Sequence, residues 1–204
     1  MAIACPVDLD TLRLRAEIKS IYARVAVDPS GEFHFHRGPE YAAQRLHYDA
    51  GELSHIPRIV TESFAGVGNP HAVAPKPVGA TVVDIGSGAG TDLLLAALHV
   101  GPQGRAIGVD MTESMRERAR QGAAACGLAN VDVRDGEATA LPVESESVDI
   151  VISNGVLNLV PEKMDAVAEI RRVLKPGGRV QIADIVLGVA LSEDVRRDID
   201  LWTG

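Results

Sequence analysis

From Thr81 onward the chain repeats one pattern: a short run rich in Val and Ile, a turn, then a longer amphipathic stretch. The runs are TVVDI (81–85), GRAIGVD (104–110), VDVRD (131–135), VDIVIS (148–153) and GRVQIADIV (178–186), and runs of this length and composition read as strands. Between them the spacing predicts helices over Thr91–Val100, Glu113–Cys126 and Glu162–Leu174. Thr112 is placed to cap the second and Gly127 to stop it. The third carries Met164, Val167, Ile170 and Leu174 on its inward face and halts at KPGG, because Pro176 cannot continue a helix. Strands alternating with helices imply right-handed crossovers and a parallel sheet covered on both faces. The fold class is therefore α/β, doubly wound.

The first 75 residues have a different texture. Leu14, Ile18, Ile21, Tyr22 and Val25 recur at helical spacing, and a second short helix is expected from Glu40 to Leu46 after Pro39. Between them GEFHFHRG alternates Phe33 and Phe35 with His34 and His36, a short extended segment with both rings inward. APKPVG (74–79) reads as a linker, dividing a helical cap or lid (1–75) from a sheet domain (76–204). His34, His36, His47 and Tyr41 are candidates for polar contacts from the lid, although ordinary lid structure is the commoner role for each. No Cys or carboxylate stands at ligand spacing from the His-x-His pair, so no metal site is assigned.

Charge and hydropathy exclude several partners. A net charge of −8, with basic residues interleaved among acids as in ESMRERAR, does not suit a nucleic acid or an anionic membrane surface. The longest apolar run, Leu93–Val100, is far short of the ~20 residues a bilayer requires, and residues 1–30 contain no apolar leader core. A cytoplasmic location is expected. Two cysteines are too few for a disulfide framework, and Cys126, on the face of Met115, Ala119 and Ala123, is expected to be a buried core thiol.

In a doubly wound sheet ligands bind beyond the carboxyl ends of the strands. Those ends hold Asp84–Gly90, Asp110, Asp135–Ala138 and Ser153–Asn154. DIGSGAG departs from the dinucleotide fingerprint because Thr91 occupies the third glycine position, which weighs against a nicotinamide-dependent oxidoreductase. The five segments VVDIGSGAG, IGVDMT, GEATALP, SNGVLNL and VLKPGGR, in this order over residues 80–180, resemble the class I S-adenosylmethionine-dependent methyltransferases. That resemblance implies a Rossmann-like sheet and S-adenosyl-L-methionine as cofactor. It implies that Asp84, Gly86, Ser87, Gly88 and Gly90 surround the methionine part, and that Asp110 accepts from the ribose hydroxyls. Met111 would cover the adenine, Glu137 and Ala138 would meet its edge, and Ser153 and Asn154 would lie beside the methionine segment.

Over residues 60–204, from SFAGVGNP to RVLKPGGRVQIADIV, the likeness narrows to the arsenite methyltransferases. Their arsenic-binding cysteines fall where this sequence has Val67 and Gly155, and just after Gly204. The acceptor is therefore left open among a metalloid, a phenol or quinone, and an amine. The sheet of that class has seven strands, and five are found here, so the last two are expected to be missing and the protein to be truncated at its carboxyl end. DVRRDIDLWTG reads as the start of a further helix, and the exposed edge at 179–186 calls for a cover, a homodimer being one solution. The resulting expectation is a methyltransferase acting on a small molecule, with a cofactor-binding but inactive or regulatory relative as the alternative.

Overall fold

The computed structural model describes residues 10–186 and 188–189; Cys5 and the segment 190–204, with its expected helix, lie outside them. Five strands form one all-parallel sheet: β1 (Thr81–Ile85), β2 (Arg105–Asp110), β3 (Val131–Asp135), β4 (Val148–Asn154) and β5 (Leu174–Ala183). Their spatial order is β3-β2-β1-β4-β5, so the chain winds outward in one direction and then in the other from β1. Val83 stands opposite Ile107 on one side and Val151 on the other. The pleat sends Val82, Ala106, Ile150 and Ile152 to one face, with Leu93, Ala96 and Ala97, and Val83, Ile107, Val109 and Val151 to the other. At the three central strands β1, β2 and β4 both faces are buried, which is why these are mostly apolar.

Four helices precede the sheet: α1 (Thr11–Val27), α2 (Pro39–Leu46), α3 (Ala50–Ser54) and α4 (Arg58–Thr61). Asp10 caps α1 by accepting from the Arg13 N–H at 2.9 Å. The buried face of α1 carries Leu14, Ile18 and Val25, and it packs on α6 (Glu113–Ala125) beside Met115. Phe33 and Phe35 are half-buried against that cluster while His34 and His36 are exposed, so the rings face inward as expected, but no strand forms there.

The remaining sheet helices are α5 (Thr91–Val100) and α7 (Lys163–Val173). Four local expectations need correction. On α7 the inward residues are Ala166, Ile170 and Val173, while Met164 is 69% and Val167 49% exposed. Ile170 and Val173 pack with Val148 and Val151 of β4, and the helix ends one residue earlier than expected, so Leu174 already has strand geometry. The strand β5 starts at Leu174 rather than 178, because Lys175–Gly178 is absorbed in an irregularity opposite Val148–Ile150. Cys126 is half-buried, its Sγ 3.5 Å from the His55 carbonyl oxygen, and partial burial pushes its thiol pKa up. The stretch 74–79 is not a free linker: Gln181 Nε2 donates to the Ala74 carbonyl at 2.7 Å, Arg179 donates to that of Pro75, and Lys76 is 7% exposed.

Candidate functional site

The carboxyl ends of β1, β2 and β4 open into one cleft. Its floor is the turn after β1. Gly86, Gly88 and Gly90 have φ of +68°, +52° and +101°, values a side chain disfavours. At Gly86 a Cβ would also lie 2.3 Å from Val156 Cγ2, whereas at Gly88 nothing stands within 4 Å. The first glycine is demanded by packing, and the second leaves open space over the turn. The Gly86 and Ser87 N–H groups donate to the Val109 carbonyl at 2.8 and 3.1 Å, lashing the turn to β2. The first turn of α5, which begins here, has no side-chain cap.

Three buried polar atoms at this turn have no partner: Asp84 Oδ2, Ser87 Oγ and Thr91 Oγ1. All three residues line the cleft. An unpaired buried polar atom costs about 1–3 kcal/mol. Three of them around one opening form a socket for a polar ligand. Burial, with Asp92 and Asp110 nearby, pushes the Asp84 carboxyl well above the ordinary range. A ligand ammonium would relieve that, and the two hydroxyls can donate to a carboxylate.

Asp110 ends β2. Its Oδ2 accepts from the Gly88 N–H at 2.9 Å and its Oδ1 from the Thr112 N–H at 2.8 Å, so the carboxylate is aimed by two backbone groups. Burial raises its pKa against these bonds. Thr112 holds the cap position of α6 but makes no side-chain cap bond. Met111, Glu137 and Ala138 line the same end of the cleft. Glu137 Oε2 is 3.4 Å from Arg15 Nη1, and the other arm of Arg15 reaches Glu162 at 3.1 Å.

Asn154 lies at the opposite end, where its Oδ1 accepts from the Val67 and Gly68 N–H groups at 2.8 and 3.1 Å. Ser153 is placed differently from its neighbour: it is fully buried, its hydroxyl donates to the Ile85 carbonyl at 3.3 Å, and it is not part of the cleft wall. Its side chain is turned to the neighbouring strand β1 and has nothing left to present to the cleft. The other ten residues singled out from the sequence do converge on it.

Several wall residues had no sequence signal of function. Arg15, Ile18 and Tyr22 roof the cleft from α1, and Phe64–Gly66, Val156 and Leu159–Pro161 add further wall. Burial, with Asp110 beside it, pushes the Tyr22 hydroxyl up to about 12. His34, His36, His47 and Tyr41, expected as polar contacts from the lid, do not line it; His36 instead lies against the Tyr41 ring, centroids 5.2 Å apart. Val67 and Gly155 are spatial neighbours, since a Cβ on Gly155 would sit 3.2 Å from Val67 Cγ1. Among the described residues no cluster of His, Cys, Asp and Glu could hold a metal ion.

Residues 76–203 match the family described as "Methyltransferase domain". The arsenite methyltransferase of Halobacterium salinarum is 47% identical over 162 residues, covering 79% of this chain and 41% of that protein. Among solved structures, the arsenic(III) S-adenosylmethionine methyltransferase of Chlamydomonas reinhardtii superposes with a TM-score of 0.64 at 36% identity, covering 71% of this chain and 51% of that one. An S-adenosylmethionine-dependent methyltransferase from Aquifex aeolicus gives 0.50 at 26% identity, with 68% of each chain covered. The protein thus spans about two fifths of the length of its curated arsenite methyltransferase relative. With the glycine turn, the paired strand-end aspartates and this family match together, the chain belongs to the methyltransferase domain family, as a class I member whose cofactor is S-adenosyl-L-methionine.

Proposed function

We propose that the cleft transfers the methyl group of S-adenosylmethionine to a small, largely apolar acceptor. The observation that carries this reading is the triad of unpartnered atoms Asp84 Oδ2, Ser87 Oγ and Thr91 Oγ1 under open space at Gly88. These residues fit the amino-acid end of the cofactor, with Asp84 on its ammonium and the two hydroxyls on its carboxylate. Asp110 keeps lone pairs for the ribose hydroxyls, and Met111, Glu137 and Ala138 would hold the adenine. When bound, the cofactor supplies a methyl group already activated by its sulfonium.

The remaining task for the protein is to align an acceptor and keep water out. Oriented reactants gain effective molarities of roughly 10⁵–10⁸ M, so positioning alone supports such a transfer. Ile18, Phe64, Val156, Leu159 and Val160 give the cleft its apolar walls, and the helical segment before residue 76 serves as the lid. Among the described residues no thiol lines the cleft, and Val67 and Gly155 stand where the arsenite methyltransferase likeness places cysteines. This favours a phenol or quinol over a thiophilic metalloid.

No described helix is long and apolar enough to cross a membrane, and we place the protein in the cytoplasm. The outer edge of β5 has no partner among the described strands, and Val180 on it is 44% exposed. A second copy pairing there would form a homodimer, read as a doubled mass by light scattering; a monomer at high concentration would contradict it. For the transfer itself, the test is a labelled-methyl screen of arsenite, quinol and amine acceptors. Label in the quinol class supports the proposal. Label in arsenite alone overturns the acceptor class, and tight cofactor binding with no product from any class overturns turnover.

A further inference from the structure

Behind the cleft runs a relay of buried polar side chains drawn from five separated positions. Lys76 Nζ lies 2.8 Å from His71 Nδ1, and His71 Nε2 lies 3.0 Å from Asp92 Oδ1. The same Oδ1 accepts from the Tyr48 hydroxyl at 2.7 Å, and Oδ2 accepts from Asn154 Nδ2 at 3.0 Å. His71 and Asp92 side chains are 7% and 8% exposed. An ammonium has no lone pair, so Lys76 can only donate; His71 must then accept at Nδ1 and donate from Nε2. The imidazole is therefore a neutral bridge between a cation and an anion.

What the bridge holds is the Gly66–Gly68 stretch, of which Gly66 lines the cleft and Val67 and Gly68 continue the wall behind it. The two N–H groups of Asn154 Nδ2 are shared among Asp92 Oδ2, the Gly68 carbonyl at 2.8 Å and Tyr48 Oη at 3.0 Å, while its Oδ1 takes the Val67 and Gly68 N–H groups. Gly66 lies so close that a Cβ would fall 2.3 Å from that same Nδ2. Asp92 sits in the first turn of α5, the turn that opens onto the cleft. One carboxylate thus joins the Gly66–Gly68 wall to the helix that receives the cofactor.

We propose that Lys76 and His71 are positioning residues, which by fixing Asp92 hold Asn154, Tyr48 and the Gly66–Gly68 wall in register with the first turn of α5. The proposal rests on the methyl-transfer reading only for the use to which that wall is put. Loss of the Lys76 charge leaves the bridge without its cation: the neutral amine still donates to His71 Nδ1, but a charge-assisted bond becomes an ordinary one and the hold on the wall weakens. Burial lowers the Lys76 pKa to about 8, against the pull of Asp92 and Asp84. The charged and titratable groups around it are Asp84 of β1, Asp92 of α5, Glu52 of α3, Arg179 of β5 and His71, whose own ring stands 5.2 Å from that of His99. Burial holds His71 below its ordinary value, so it is neutral throughout an alkaline titration.

The test is amide hydrogen exchange of residues 64–68, corrected for intrinsic rates and followed from pH 6.5 to 9.5 in the wild type, Lys76→Met, Lys76→Arg and His71→Gln. Wild-type protection should fall at least tenfold through about pH 8. Lys76→Met should be low and flat, Lys76→Arg high and flat, and His71→Gln intermediate, with β1 amides equally protected in all four. A wild-type profile without a transition overturns the proposal, as does a transition that persists in Lys76→Met, which would belong to Asp84. If Lys76→Met does not fold, the wild-type and Lys76→Arg profiles decide alone. S-adenosylhomocysteine titration of the wild type separates the two readings. Absent binding with the transition intact removes the methyl-transfer reading, whereas intact binding with flat wild-type exchange removes the relay.

Discussion

Asp84 and Asp110 stand at the ends of adjacent strands, yet they are prepared for different partners. Asp110 is aimed by two N–H groups, while Asp84 leaves one oxygen unpartnered at 2% exposure. Because burial raises the Asp84 pKa in the folded protein, its protonated form is favoured there, and stability is lost as pH rises from the unfolded value near 4. Asp84→Asn should therefore raise the melting temperature of the free protein at neutral pH, leave it unchanged near pH 4, and weaken cofactor binding. Differential scanning calorimetry at the two pH values checks the sign. Asn154→Ala removes the two N–H donors shared among Asp92, Gly68 and Tyr48 and the oxygen that holds the Val67 and Gly68 N–H groups, leaving Asp92 Oδ2 without its partner, and a loss of about 2–4 kcal/mol is expected in urea unfolding. The strand-end acids, the glycine turn and Asn154 were legible in the sequence because each follows a Val/Ile run. The relay was not, since Tyr48, His71, Lys76, Asp92 and Asn154 are scattered along the chain, Tyr48 and Lys76 outside any helix or strand, and only the fold brings them together.

At the scale of elements, all five strands and the three sheet helices were readable from periodicity, and the departures are informative. The Met164 and Val167 stripe of α7 follows helical spacing as faithfully as the true inner face, and Ile170 belongs to both. Spacing alone could not choose between them, because the choice is made by tertiary packing, in which Ile170 and Val173 meet Val148 and Val151 of β4. Met164→Lys should then change stability by no more than about 0.5 kcal/mol. Ile170→Ala should cost about 2–4 kcal/mol. Equal losses from the two would contradict the observed face. The roof of the cleft shows the same limit: the apolar stripe of α1 was evident, but not that Arg15 on its flank would pair with Glu137 and Glu162. The early start of β5 was hidden for another reason, since KPGG carries a proline and two glycines, which normally break regular structure, and is tolerated only inside an irregularity.

As a whole molecule, the protein places one polar socket where its winding reverses, between β1 and its two neighbours, and roofs it with helices that come first in the sequence. Several carboxylates outside the socket hold the fold together at neutral pH. Asp92, Asp132 and Asp149 lie below the ordinary range in spite of burial, through His71, Arg134 and Lys175, and Glu169 does so through Arg172. Their contribution is complete above the unfolded values near 4 and is lost as pH falls through the folded ones, so acid unfolding should steepen below about pH 4. The decisive measurement is a calorimetric titration of the protein with S-adenosylhomocysteine, in parallel with Asp110→Asn. Saturable one-to-one binding is expected, weakened roughly 10-fold or more in the variant, in line with loss of charge-assisted hydrogen bonds. No heat of binding at millimolar ligand, or equal affinity in the two proteins, would contradict the assignment of this cleft to the cofactor.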